Sequence, residues 1–216
     1  MRYESTQKSK LCLRQQIFAG ILFIGGFPFP PQSVELTQSV EFWSATDPEK
    51  GSCVLNNYPR QMNQGPTVNL VNGSLVACYL HTCEIYKEGG SWEHLQNTTV
   101  MRGYHSSATR EDAVLLIGGG ASTTTEWIPV NGSAAQQGPF TVRHGWFHCT
   151  IKISEDVIVV TGGVNALDRV TEYQLELADG KETPLTSMGQ PRLQHACGVY
   201  RDADNQQVSK MFWSTV

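Results

Sequence analysis

Short apolar runs, each stopped by glycine and followed by a polar loop, recur along the chain. The run ILFIGG closes on Gly25 and Gly26, VLLIGG on Gly118 and Gly119, and VIVVTGG on Gly162 and Gly163. Apolar runs of this length between turn signals predict strands, not helices. Glycine suits the exit from such a strand because it accepts positive φ and close backbone approach. The fullest copy covers residues 101–127: a short strand (106–108), a charged turn (Arg110, Glu111, Asp112), the run 114–117, the glycine pair, and a Ser/Thr-rich loop leading to Glu126 and Trp127.

Polar positions repeat with the apolar ones. A glutamate followed by an apolar or aromatic residue stands at Glu41, Glu84, Glu126 and Glu172, spaced 43, 42 and 46 residues apart. An arginine follows at Arg60, Arg102, Arg143 and Arg192, after gaps of 19, 18, 17 and 20. A unit of roughly 40 to 50 residues with four short strands is the signature of propeller blades. The arginines are expected to bond loop carbonyls or a glutamate between blades, since a guanidinium serves several acceptors at once. The expected role of this repeated set is structural.

The pattern resembles the kelch family: paired glycines after a hydrophobic strand, an aromatic some ten residues on, a Trp in the fourth strand, and Arg before the next repeat. The resemblance covers about residues 11–208. It implies a β-propeller and, for most members, a binding surface. The expected fold is all-β, an incomplete kelch-type propeller of about four four-stranded antiparallel blades plus the start of a fifth. The blades fall at about 11–60, 67–102, 104–143 and 147–192, with the next beginning at 195–208; residues 1–10, expected to be disordered, and 209–216 are tails. Residues 11–15 read as a stunted first strand.

Blade two departs from the pattern. Asn72-Gly73 between apolar runs predicts a two-residue hairpin turn, but Tyr79 and Leu80 stand where the glycine pair is due. A fifth glycine pair is due near residue 209, where the chain reads Ser209 to Trp213. An open arc would leave strand edges exposed, so the sequence reads as a truncated product of a longer propeller.

Charge and composition remove several function classes. The 216 residues carry a net charge of −4 with 40% hydrophobic and 17% charged content. Without a basic cluster, a nucleic-acid or anionic-membrane partner has no electrostatic support. No GxxxxGK, HExxH or CxxC sequence occurs, and no cofactor or metal is expected. Residues 17–24, after Arg2, Lys8, Lys10 and Arg14, could serve as a secretory leader, but they match the later strands in phase. They are too short to span a bilayer.

The segment RGYHSSA around Tyr104-His105 is similar to the Tyr-His segment that supplies copper ligands in the galactose-oxidase and glyoxal-oxidase family, itself built on a kelch propeller. His148 and His195 share the repeat phase of His105, which makes this histidine a repeat feature. Cys78 and Cys83 are placed for a cross-strand disulfide, whereas Cys149 and Cys197 read as small core residues. Asn72, Asn97 and Asn131 head N-x-Ser/Thr sequons, expected at strand ends or turns and open to glycosylation. Together with the Cys78–Cys83 pair they point to a secreted protein.

The expected function is a non-enzymatic scaffold that binds a protein or a glycan through blade loops. The competing readings are a copper-radical oxidase and a ubiquitin-ligase substrate adaptor, the latter wanting an upstream BTB-like domain. The loops after each second strand (27–38, 120–124, 164–169) vary in length on a constant frame, as binding loops do. Phe27 and Phe29, in FPFPP, are the sharpest partner-contact candidates, because a stiff proline-rich backbone has little ordering entropy to lose.

Overall fold

The computed structural model describes residues 20–24, 38, 40–44, 52–60, 65–87, 90–143, 145–164, 172–186, 188, 190, 196–201 and 207–212. These form five antiparallel sheets in chain order, and no helix occurs among them. The first sheet is β1 (Gly20–Ile24), β2 (Val40–Ser44) and β3 (Ser52–Leu55). The second is β4 (Thr67–Val71), β5 (Ser74–Lys87) and β6 (Ser91–Arg102). The third holds β7 (Ser106–Arg110), β8 (Ala113–Ile117), β9 (Thr124–Pro129) and β10 (Gln136–Thr141). The fourth holds β11 (His148–Ser154), β12 (Val157–Gly162), β13 (Glu172–Glu176) and β14 (Glu182–Pro184). The fifth pairs β15 (Ala196–Arg201) with β16 (Gln207–Phe212), which runs past residue 208.

The second sheet is less irregular than its strand count suggests. The Cα atoms of Cys78 and Cys83 lie 4.1 Å apart, whereas five extended residues would span roughly 17 Å. β5 therefore doubles back on itself. Its first half pairs with β4 and its second half with β6, which gives this sheet four strand segments. Thr67 faces Cys78, Ser106 faces Ile117 and Cys149 faces Thr161, so Tyr79 and Leu80 do occupy the register of the later glycine pairs. The turn there begins one residue late: Leu80 is left-handed at φ 53°, while Gly118 and Gly162 take 61° and Gly119 and Gly163 take 102° and 106°.

The continuous apolar runs are explained by burial on both faces. Successive residues of a strand point to opposite sides. In β8, Leu115 and Ile117 join Ile158, Val160, Tyr173 and Leu175 of the fourth sheet. Val114 and Leu116 join Val76, Cys78 and Ile85 of the second. A third cluster sets Val40, Leu55 and Tyr58 against Leu75, Ala77 and Tyr86. The first four sheets thus stack face to face.

Their first strands also lie side by side: β4 by β7, β7 by β11, β11 by β15. Ser107 Oγ donates to Asn69 Oδ1 at 3.0 Å, and the Ser106 and Thr150 hydroxyls are bonded to each other. One repeat later the corresponding positions hold Cys149 and Cys197, and these form a disulfide with Cα atoms 6.0 Å apart. The expectation of two inert core thiols is therefore wrong. The Cys78–Cys83 bridge forms as expected. The stunted strand at 11–15 lies outside the described residues.

Candidate functional site

The repeated arginines and glutamates key one sheet to the next. Arg102, 1% exposed, donates from Nε to Glu126 Oε2 at 3.1 Å. Its Nη1 donates to the carbonyls of Gly118 and Thr124, both at 2.7 Å, and Nη2 to Thr124 Oγ1 at 3.0 Å. The Thr99 amide completes the site by donating to Glu126 Oε1 at 2.7 Å. Burial pulls the guanidinium below its usual range while the Glu126 carboxylate opposes that shift. One repeat earlier, Arg60 Nε meets Glu84 Oε1 at 3.1 Å and the Tyr58 hydroxyl donates to Glu84 Oε2. Burial and that carboxylate push Tyr58 well above its ordinary value. Each arginine thus reaches the glutamate 24 residues ahead, in the following sheet.

The third copy differs. Arg143 pairs with Glu182 of β14 and lies 5.4 Å from the centroid of the Tyr173 ring. Tyr173, pushed up to about 12 by burial, accepts at its hydroxyl from the Arg143 amide at 3.3 Å. Glu41 sits in β2 and Glu172 begins β13; their side chains are outside the described set, as are Gly25, Gly26, Phe27, Phe29 and Arg192.

Gly119 shows why the second glycine of the pair is required. At φ 102°, a Cβ there would fall 2.7 Å from His105 Cβ and 2.9 Å from Arg102 Cα. The loop can then interlock with the connections between sheets. The Gly119 amide donates to Gly145 O, Gly120 to Gly103 O at 2.6 Å, Phe147 to Tyr104 O at 3.1 Å and Val164 to Trp146 O at 3.0 Å. The β6–β7, β8–β9 and β10–β11 connections therefore form one continuous surface, joined by Val164 beyond β12. Its aromatic part is an array: Tyr104 and Phe147 have centroids 4.3 Å apart, and Phe147 stacks on Trp146 at 5.4 Å and 14°. Trp146 is 40% exposed and Met101 54%.

The charged hairpin turns belong to other connections. Asp112 and Asp156 carbonyls accept from Val130 and Leu177, and Arg110 meets Asp156 at 3.2 Å. The sequence pattern located the 120–124 loop and singled out Tyr104 for its likeness to a copper-ligand segment, but missed Trp146 and Phe147 beside them. The available signal was the repeat phase of Tyr104, Phe147 and Gly65.

His105 is committed to the frame. Its Nδ1 lies 2.6 Å from Arg102 O and its Nε2 2.8 Å from Thr67 Oγ1. Burial drives it down to about 4, so it is neutral near pH 7. With both nitrogens engaged, it is not presented as a metal ligand. Among the described residues, no cluster of three or more His, Cys, Asp or Glu could hold a metal ion.

All three sequon asparagines are exposed. Asn72 is in the β4–β5 turn at φ 48°. Asn131 is in a turn where its Oδ1 accepts from the Ser133 amide at 2.9 Å. Asn97 lies within β6 instead of at its end, beside a break in the pairing with β5. No protein-family model matches the chain, and no curated protein matches it.

Proposed function

We propose that this chain folds as blades of a kelch-type β-propeller. It acts as a non-enzymatic recognition scaffold and presents its interlocked loop surface to a protein or glycan outside the cell. The observation that carries the reading is the hydrogen-bonded joining of second-strand loops to inter-sheet connections. Rigidly held loops keep the ordering cost of binding low. Sheets stacked face to face with adjacent first strands support the propeller. The two disulfides among the described residues and three exposed sequons support an oxidising, secretory setting. The engagement of both His105 nitrogens weighs against the copper-oxidase reading.

The test uses protein made through a eukaryotic secretory pathway. It is probed on arrays of extracellular ectodomains and glycans, and assayed for peroxide release from alcohols and aldehydes with copper present. Saturable binding that is lost in Met101→Ser/Trp146→Ser and kept in Glu111→Ser/Asp112→Ser supports the scaffold. Copper-dependent peroxide release refutes it.

A further inference from the structure

Three consecutive sheets enter their first strand through a left-handed residue: Gly65 at φ 57°, Tyr104 at 56° and Phe147 at 59°. Each stands two residues ahead of the equivalent first-strand position: Thr67, Ser106 or Cys149. Gly65 shows that the backbone needs only glycine here. Tyr104 and Phe147 hold the same conformation against a steric cost that glycine avoids. Strain of this kind, repeated at successive copies of one position, marks a side chain kept for use.

The side chains form a shelf. The Tyr104 ring lies over Gly65, where a Cβ would come within 3.2 Å of its Cδ1. The aromatic array continues through Phe147 to the part-exposed Trp146. Beside it runs the glycine- and hydroxyl-rich segment 118–124. The shelf carries no free charge among its described residues: Arg102 is buried in its ion pair, and His105 is buried with both nitrogens engaged.

The geometry points to a neutral sugar ring as the ligand of the Tyr104–Phe147–Trp146 shelf. A pyranose offers a face of C–H bonds to the electron-rich faces of aromatic rings, while its hydroxyls suit the polar loop alongside. An anionic ligand would find no unpaired cation among the shelf's described residues, since Arg143 at its edge is paired with Glu182. A protein partner would bring a polar rim, and among the described residues the shelf's charged edge is already paired as Arg143 with Glu182. This inference rests on the recognition-scaffold reading and names the ligand class.

The test titrates folded protein with maltohexaose, cellohexaose, chitohexaose and a β-galactan hexasaccharide. Saturation-transfer NMR and calorimetry are the readouts, with decaproline as a peptide arm. At least one saccharide is expected to bind saturably. Trp146→Ala, Tyr104→Gly and Phe147→Gly should each weaken it about tenfold or more. The two glycine variants should melt within a few degrees of the parent, because glycine's ease in the left-handed backbone offsets part of the lost ring packing. Failure of all four saccharides, or binding untouched by the three variants, overturns the sugar assignment. A large drop in melting temperature with unchanged binding also overturns it, since the rings would then be packing only. Decaproline binding abolished by Trp146→Ala, without sugar binding, overturns the assignment but leaves the scaffold reading standing. Copper-dependent peroxide release would end the scaffold reading itself.

Discussion

Replacing Arg102 with Met removes the most heavily engaged inter-sheet contact while keeping much of the side-chain volume. The change leaves Glu126, 1% exposed, with the Thr99 amide as its partner among the described residues. Breaking a buried pair by deleting one partner costs about 3–5 kcal/mol. The Gly118 carbonyl also loses the Nη1 donor, worth roughly 1–3 kcal/mol for a buried group. Thr124 O is less affected because it still accepts from the Gly118 amide at 3.1 Å. The terms are not independent, and the expected loss is about 4–6 kcal/mol, much of the ~5–15 kcal/mol that holds a typical domain. Arg60→Met is the internal control at the same repeat phase. Arg60 is 51% exposed, and Tyr58 continues to donate to Glu84, so the loss should be about 1 kcal/mol. Urea unfolding of the parent and both variants measures the contrast. Equal losses, or an Arg102→Met cost within ~1 kcal/mol of the parent, would refute the reasoning.

Gly119→Ala should cost about 3 kcal/mol or more from the Cβ clash with His105 and Arg102. Gly132→Ala, in open space at φ 82°, should cost about 1 kcal/mol in thermal melts. His105 is depressed to about 4 by burial, so its contribution is complete above the unfolded value near 6.5 and is lost as pH falls toward ~4. That loss, on the order of 3 kcal/mol, should appear as a steeper fall in stability between those pH values in the parent than in His105→Gln. In secreted protein, enzymatic N-glycan release should lower the mass and convert Asn72, Asn97 and Asn131 to Asp; unchanged masses at all three would contradict their use.

Strand placement was legible because the apolar runs are buried on both faces: Val114 to Ile117 serve two cores at once. The glutamate–arginine rhythm was legible too, as was its use between sheets on carbonyls and a glutamate; which glutamate each arginine meets was not. Spacing along the chain favours the arginine 17–20 residues after each glutamate. The fold instead turns each arginine toward the next sheet's glutamate, 24 residues ahead at Arg60 and Arg102. At Arg143 even that rule gives way to Glu182. The Cys78–Cys83 bridge is local and could be inferred from a turn. Cys149–Cys197 depends on the stagger between neighbouring first strands, which hydrophobic periodicity does not encode. Backbone strain at Tyr104 and Phe147 was hidden for a related reason: a left-handed aromatic has no distinctive residue type, and only alignment with Gly65 exposes it.

First strands of successive sheets lie side by side, and that arrangement brings the loops of different repeats onto one surface. Disulfide mapping of unreduced, secreted protein tests it directly. The expected result is a peptide containing Cys149 joined to one containing Cys197, with Cys78 joined to Cys83. Free alkylatable thiols at Cys149 and Cys197, or either residue bridged to Cys78 or Cys83, would contradict it.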